Sequence, residues 1–190
     1  MSPETGDSQR VFFAVWPLPW VADALALTRD AALAQVGGRA MPTGSLHCTL
    51  SFLGRLDADQ LDAVLACASR VTHPGFPLET AGLNYWPHNR IVWAGLGDPA
   101  AGLASLLARL REALEGIVEA PALTVPHITL LRGAKAAAAA TLEQTLRWQC
   151  NEFVLARAAK EASGARYELI ARWPLAGGEE SASIRRRDSH

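Results

Sequence analysis

The sequence carries almost no excess charge of either sign. Its 18 lysines and arginines are balanced by 19 aspartates and glutamates, which gives a net charge of −1 at neutral pH. A protein that coats long nucleic acid needs clustered cations to neutralise phosphates, so this balance argues against that class. It leaves room for a small cleft that binds one nucleotide end.

Cysteine is scarce as well. Cys48, Cys67 and Cys150 are odd in number, far apart and outside any C-x-x-C motif. This pattern argues against a disulfide scaffold and a structural zinc site, and it is typical of thiols in a reducing cytoplasm. No apolar run has the length of a membrane span, and no signal-peptide pattern opens the chain. We therefore expect a soluble cytoplasmic protein that does not associate with membranes.

The motifs of several common enzyme classes are also missing. The chain contains no G-x-S-x-G, no G-x-x-x-x-G-K-[ST], no G-x-G-x-x-G and no H-E-x-x-H. The sequence therefore gives no support for a serine hydrolase, a P-loop nucleotidase, a dinucleotide-binding enzyme or a zinc peptidase. We expect neither a metal ion nor an organic cofactor.

What the sequence does contain is ample material for a core. Hydrophobic residues make up 49% of the 190 residues, which suits one domain or two small lobes. Hydrophobic periodicity predicts β-α-β-α-β followed by β-α-β-α-β-β, with an alanine-rich helix over 134–148. This order resembles an internal duplication and predicts an α+β fold with mostly antiparallel sheet. We expect one domain over 10–175, with disordered ends at 1–9 and 176–190.

Two strand-like stretches each place a histidine and a threonine inside an apolar run. In "SLHCTLSFLG", His47 and Thr49 lie two residues apart, and in "VPHITLLRG" the pair is His127 and Thr129. Because side chains alternate across a strand, each pair shares one face. The opposite face is apolar and carries Cys48, Leu50, Ile128 and Leu130. The two strands occupy matching places in the two halves, so a common cleft between them would collect all four polar groups.

Two imidazoles and two hydroxyls suit hydrolysis of a strained phosphodiester. An imidazole titrates near pH ~6.5, so one ring can accept a proton from water while the other donates one to the leaving oxygen. The hydroxyls can bind the non-bridging phosphate oxygens. A single histidine in an apolar strand is more often a core residue, and only the repeated pair favours a site. His73, His88 and His190 lie in turns or at the terminus, and we predict that they are surface residues.

Other side chains are weaker candidates for the same site. Arg132 and Arg55 follow the two motifs, and a guanidinium binds phosphate in a bidentate fashion. Strict alternation places Arg132 on the face opposite Thr129, although twist at the strand end could bring it back. Four aromatic residues could stack a base, although each is more typical of a core: Phe13, Tyr85, Trp86 and Trp93.

The paired "HCTL" and "HITL" resemble the motifs of the 2H phosphoesterases. From about Val11 to Leu175 the chain resembles the RNA 2′,3′-cyclic phosphodiesterase branch, also called the 2′-5′ RNA ligase family, in its blocks "RVFFAV", "LHCTLSFLG", "YWPHNRIVWAGL", "PHITLLR" and "ARYELIARWPL". The resemblance implies a bilobal, pseudo-twofold duplicated fold. Two mostly antiparallel sheets would face a central cleft, with helices on the outside.

The resemblance also implies an activity. Enzymes of this branch hydrolyse RNA 2′,3′-cyclic phosphate ends to 2′-phosphomonoesters without a metal. By position, His47 would be the proton donor and His127 the proton acceptor, with Thr49, Thr129 and Arg132 binding the phosphate. The near symmetry of the motifs leaves the two histidine roles exchangeable.

Three alternatives remain open at the level of the sequence. The reaction could run backwards as a 2′-5′ ligation of tRNA halves, or the substrate could be another small cyclic nucleotide phosphodiester. A non-catalytic module that binds RNA ends is a third possibility, which would have no need for two proton-transfer groups. The expected partners are RNA ends, tRNA fragments among them, and the expected state is a monomer.

Overall fold

The computed structural model describes residues 9–98, 101–121, 125–161 and 164–176. Nine strands and three α-helices are defined within these residues, and they follow the chain in the order β1, α1, β2, β3, α2, β4, β5, α3, β6, β7, β8, β9. The strands are β1 Gln9–Val15, β2 Arg39–Ala40, β3 Cys48–Leu56, β4 Phe76–Trp86, β5 Ile91–Gly97, β6 His127–Arg132, β7 Arg147–Cys150, β8 Glu152–Glu161 and β9 Gly164–Pro174. The helices are α1 Pro19–Val36, α2 Ala58–Ala68 and α3 Gly102–Ala113, with a short 3₁₀ turn at Thr43–Ser45.

The strands pair in the order β7-β4-β5-β6-β3-β1-β8-β9, with β2 added to β6. Every pairing between named strands is antiparallel. The order has two halves of four strands, which meet where β3 pairs with β6 through Cys48 and Ile128. The predicted α+β class, with its duplicated antiparallel architecture, is confirmed, and the two half-sheets are continuous with one another at this contact.

The helices cover the sheet face that carries the main core. The leucine stripe of α3 is fully buried, and α2 begins with a capping box in which Asp57 and Gln60 bond each other's backbone N–H groups. α3 contacts β3 of the other half as well as β4, and α1 contacts β6 of the other half. These crossed contacts fix the two halves against each other and leave the opposite face of β3 and β6 free for the site.

The helix predicted over 134–148 is wrong. Residues 133–146 are irregular, and β7 begins at Arg147. Alanine favours helix, but a run of alanines offers no large apolar stripe, and an isolated helix of this length is marginal without packing. Leu146 and Trp148 instead enter the core beside β4, and the side chain of Gln35 accepts hydrogen bonds from the backbone of Ala139 and Ala140.

Two further predictions can be compared with the structure. His73 is not a surface residue: it is 6% exposed, and its Nδ1 donates to the carbonyl of Pro74 at 2.6 Å. His88 is exposed, as predicted. The ends predicted to be disordered fall mainly on residues 1–8 and 177–190, which lie outside the described residues, and so does His190. No helix in the described part combines the length and hydropathy needed to cross a bilayer.

Candidate active site

The two H-x-T motifs meet at the junction of the half-sheets. Cys48 lies opposite Ile128, and both side chains are buried in the core, with 1% and 0% exposure. Because neighbouring side chains alternate, Thr49 and Thr129 lie on the other face, and both are partly exposed there. The antiparallel register therefore brings the two polar pairs to one face on opposite sides of the junction.

A β-bulge places Arg132 on this same face. In β6, Leu131 pairs with Val92 and Thr129 pairs with Trp93, so Leu130 is an additional residue without a counterpart in β5. Leu130 and Leu131 are both buried, and the alternation restarts one residue later. Strict alternation would put Arg132 behind Thr129, and the bulge, rather than the twist considered above, brings it back to the side of Thr129.

The first motif contains the same irregularity. In β3, Ser51 pairs with Phe13 and Thr49 pairs with Ala14, so Leu50 is the additional residue. Leu50 and Ser51 are both buried, and Phe52 then returns to the open face, where it is 65% exposed. The duplication thus places an aromatic ring, Phe52, at the position where the other half has a guanidinium, Arg132.

Each histidine is anchored through the same ring nitrogen. Nδ1 of His47 donates to the carbonyl of Ser45 at 2.7 Å, and Nδ1 of His127 donates to the carbonyl of Val125 at 2.8 Å. A bond to a carbonyl oxygen requires a hydrogen on Nδ1, so the neutral rings carry their lone pair on Nε2. In both halves Nε2 is the nitrogen that is not bonded to the backbone and can take part in proton transfer.

Aromatic rings enclose His47. Trp16 stacks on it at a centroid distance of 4.8 Å, Phe12 stacks at 5.1 Å, and Tyr167 meets it edge-on at 4.7 Å. Trp16 also donates its indole N–H to the carbonyl of Gly44, in the 3₁₀ turn that supplies the Ser45 carbonyl. The ring is therefore held in one orientation in a largely apolar environment.

His127 has a more open aromatic wall. Trp86 lies edge-on at 4.6 Å and Trp93 at 5.7 Å, and the two indoles contact each other at 4.6 Å. Both tryptophans were among the predicted stacking candidates, whereas the other two candidates are not at the site. Phe13 is fully buried in the core on the opposite face, and Tyr85 bonds the carbonyl of Ala134.

Burial and positive charge both lower the histidine pKa values. Burial is the largest cause for His47, the charges of His127 and Arg132 add to it, and together they lower the pKa of His47 to about 4. The pKa of His127 is lowered by the same two causes, burial first and Arg132 second. Both rings are consequently neutral at pH 7 in the free protein. The charge of Arg132 acts on both rings, and that of His127 acts on His47, which is consistent with the placement of these three side chains on one face of the sheet.

The sequence did not identify the aromatic residues that surround His47. Phe12, Trp16 and Tyr167 contact the His47 ring directly, and the ring of Phe52 contacts that of Phe12. One signal was available: in "VFFAV", Val11 and Val15 share a face with Phe13, which leaves Phe12 for the opposite face. Among the described residues, no three His, Cys, Asp or Glu side chains form a cluster suited to a metal ion.

Comparison with known proteins gives a consistent result. The 2′-5′ RNA ligase superfamily model matches residues 17–162. The RNA 2′,3′-cyclic phosphodiesterase of Escherichia coli (strain K12) is 31% identical over 173 residues, covering 89% of this chain and 98% of that protein. The protein of the same name from Thermus thermophilus is 28% identical over 188 residues, covering 91% and 94%.

A solved structure agrees with these matches. E. coli LigT complexed with 3′-AMP superposes with a TM-score of 0.80 at 30% identity, over 90% of this chain and 99% of that chain. The family model covers well over half of the sequence, and the relatives match along nearly their whole length. This chain belongs to the 2′-5′ RNA ligase superfamily, as its paired motifs predicted.

Proposed function

We propose that the protein hydrolyses RNA 2′,3′-cyclic phosphate ends to 2′-phosphomonoesters. The observation that carries the proposal is the pair of imidazoles whose Nδ1 atoms bond carbonyls and whose Nε2 atoms are left for chemistry on a common face. The names of the two relatives support the same reaction, and the LigT complex with 3′-AMP supports a nucleotide ligand.

The proposed reaction is a single displacement at phosphorus. Nε2 of His127 accepts a proton from water as the water oxygen bonds to phosphorus. The bond from phosphorus to the 3′ oxygen breaks, and Nε2–H of His47 donates the proton that this oxygen needs. The 2′ ester bond is kept. Exchange of one proton with solvent then returns both rings to their starting states, so the cycle consumes only water.

The remaining polar groups hold the phosphate. Thr49 and Thr129 donate hydroxyl hydrogen bonds to its non-bridging oxygens, and the Arg132 guanidinium adds positive charge where negative charge accumulates in the transition state. The ester oxygen leaves from a strained five-membered ring, so the proposed mechanism needs no metal. The protein would act as a monomer on RNA ends in the cytoplasm, and tRNA fragments are one source of such ends.

The low pKa of His47 has to be reconciled with its role as proton donor. Burial is the main cause that lowers this pKa to about 4, because the imidazolium loses its hydration in the apolar environment. A phosphodiester brings one negative charge beside the ring. That charge stabilises the imidazolium and raises its pKa in the complex, so protonation of His47 and substrate binding favour each other.

The test identifies the reaction product and measures whether the rate depends on a metal ion. Wild-type protein is incubated in EDTA with an oligoribonucleotide that ends in a 2′,3′-cyclic phosphate, and the product is compared with synthetic 2′- and 3′-phosphate standards. We expect only the 2′-phosphate, at a rate that EDTA does not change. A 3′-phosphate product, or activity lost in EDTA and restored by a divalent metal, would contradict the proposed mechanism.

A further inference from the structure

We infer that Trp16 is a positioning residue for His47, the proposed proton donor. Its indole ring covers one face of the imidazole, and its N–H group holds the turn that anchors the imidazole through Nδ1. The inference rests on the proposed function and deepens it, because it assigns part of the difference between the two histidine roles to a side chain outside both H-x-T motifs.

Strand pairing places Trp16 opposite His47. Val15, the last residue of β1, pairs with Cys48, so continuation of this antiparallel register by one residue brings Trp16 to His47. The indole and imidazole rings stack at a centroid distance of 4.8 Å, with 22° between their planes. Trp16 is thus the direct cross-strand neighbour of the histidine, although it belongs to the connection between β1 and α1.

The imidazole lies in a slot between two aromatic side chains. Phe12 and Trp16 are four residues apart and contact the same side of the sheet, and Ala14 between them carries only a methyl group. The ring of His47 stacks on both, at 5.1 Å from Phe12 and 4.8 Å from Trp16, so it occupies the space above Ala14. Removal of the indole would open one wall of this slot and free the ring to turn.

Trp16 also holds the backbone that anchors the imidazole. Its Nε1–H donates to the carbonyl of Gly44 at 3.1 Å, and the next carbonyl along the chain, that of Ser45, accepts from Nδ1 of His47 at 2.7 Å. Gly44 and Ser45 belong to one 3₁₀ turn. A single side chain therefore fixes both the plane of the ring and the group that determines its tautomer.

A buried arginine holds the beginning of the same turn. Arg29 of α1 is 9% exposed, and its Nη1 donates to the carbonyl of Met41 at 2.6 Å and to the hydroxyl of Thr43 at 3.2 Å. These bonds do not involve Trp16. A change at Trp16 should therefore alter the His47 ring and its anchor without unfolding the turn.

The equivalent place in the other half is occupied by a glycine. β5 pairs with β6 as β1 pairs with β3, and in that pairing Gly95 lies opposite His127. Glycine has no side chain to cover the ring, and within the described residues Trp86 and Trp93 meet His127 only edge-on. A closely held ring suits donation to a fixed leaving oxygen, whereas a more open ring suits a base that takes a proton from water.

The first test measures kcat and KM on an oligoribonucleotide that ends in a 2′,3′-cyclic phosphate. W16A removes the stacked ring and the N–H donor, and it should lower kcat by about 10- to 100-fold with KM unchanged, because a displaced catalytic group slows the chemical step without weakening ground-state binding. W16F keeps a stacked ring and loses the hydrogen bond, so kcat should fall by only about 2- to 10-fold. W20A alters an exposed tryptophan of α1 and should keep both wild-type values.

The second test follows the His47 ring without turnover, by NMR titration of its carbon-bound protons, which are assigned by their absence in H47Q. The pKa of His47 should be lowered in the wild type and in W16F. In W16A it should lie closer to the ordinary value of about 6.5, because water reaches the imidazole once the indole is gone. The other titratable or charged groups that act on the ring or contact it, His127, Arg132 and Tyr167, are the same in all these proteins.

The two tests fail in different ways. A wild-type kcat in W16A, an unchanged pKa of His47 in W16A, or a raised KM with unchanged kcat would each overturn the positioning role. If W16A does not fold, a wild-type kcat in W16F would overturn the role of the N–H group. A wild type that hydrolyses no cyclic phosphate would overturn the proposed function, while the NMR comparison would still decide whether Trp16 encloses His47.

Discussion

Thr49 Oγ1 lies 3.1 Å from Nε2 of His47, within the same H-x-T motif. The neutral ring carries its hydrogen on Nδ1, so the hydroxyl donates to Nε2, and it must turn to donate to a phosphate. In the described structure no protein group bonds Nε2 of His127. The duplicated motif thus holds its two histidines differently, which supports different roles for the two rings.

This asymmetry predicts different kinetics for the two threonine variants. T49V removes a phosphate contact and the partner of the His47 ring, so we expect kcat to fall and KM to rise. T129V removes only a phosphate contact and should mainly raise KM. Each loss should lower kcat/KM by about 10- to 100-fold, since a hydrogen bond to a charged group contributes about 1.5–3 kcal/mol. T49S should restore most of the activity, and equal kcat losses in both valine variants would contradict the asymmetry.

The histidines themselves should be essential for the rate and dispensable for the fold. H47Q and H127Q should each lower kcat by about 10²- to 10⁴-fold, the usual contribution of one acid or base. H88Q, which alters an exposed histidine in the turn after β4, is the matched control and should keep wild-type turnover. Normal turnover of a cyclic-phosphate oligonucleotide by H47Q or H127Q would reject the proposed roles.

The pH dependence should reflect the lowered pKa values. Catalysis needs one neutral and one protonated imidazole, so kcat/KM should be bell-shaped between the two apparent pKa values of the pair. Both histidine pKa values are lowered in the free protein, so the optimum should lie below pH 6.5 and the rate should fall above it. The kcat profile should lie at higher pH, because the bound phosphate stabilises the imidazolium.

Removal of the Arg132 charge should shift this pH profile in a defined direction. This positive charge lowers the pKa of both His47 and His127. In R132Q the charge is absent, so both limbs of the kcat/KM profile should move to higher pH while KM rises. R111Q, which alters an exposed arginine of α3, is the matched control and should keep the wild-type profile. A shift of the R132Q limbs to lower pH would contradict the proximity of this guanidinium to the two rings.

Local sequence carried most of the information about the two H-x-T pairs. Alternation fixes which side chains share a face, so His47 and Thr49 could be placed together without coordinates. The position of Arg132 could not be derived, because the bulge at Leu130 depends on pairing with β5. The same applies to Phe52, whose place on the open face follows from pairing with β1.

Tertiary contacts also account for the elements that were predicted wrongly. The alanine-rich segment has helix propensity but few side chains to bury, and pairing of its end with β4 determines its conformation. His73 looks like a turn residue in the sequence, yet its ring packs edge-on against Phe76 at 5.5 Å. The first partner, β4, is distant in the sequence. Phe76 is only three residues from His73, but nothing in the local pattern shows that the two rings are buried together.

Burial of His47 should also make the protein less stable in acid. Above pH 6.5 the ring is neutral in both states and contributes no pH dependence. Below pH 6.5 the unfolded chain binds a proton there, while the folded protein resists it until about pH 4, so stability is lost as the pH falls through this window. Between pH 7 and pH 5 the loss is about 2 kcal/mol.

The variant H47Q lacks this titration, and urea unfolding at the two pH values tests the difference. Its free energy of unfolding should fall by about 2 kcal/mol less than that of the wild type between pH 7 and pH 5. L27A, which alters an exposed leucine of α1, should follow the wild type. Equal losses in H47Q and the wild type would mean that the imidazole is hydrated in the folded protein. The aromatic enclosure by Trp16 and Phe12 would then not be what lowers its pKa.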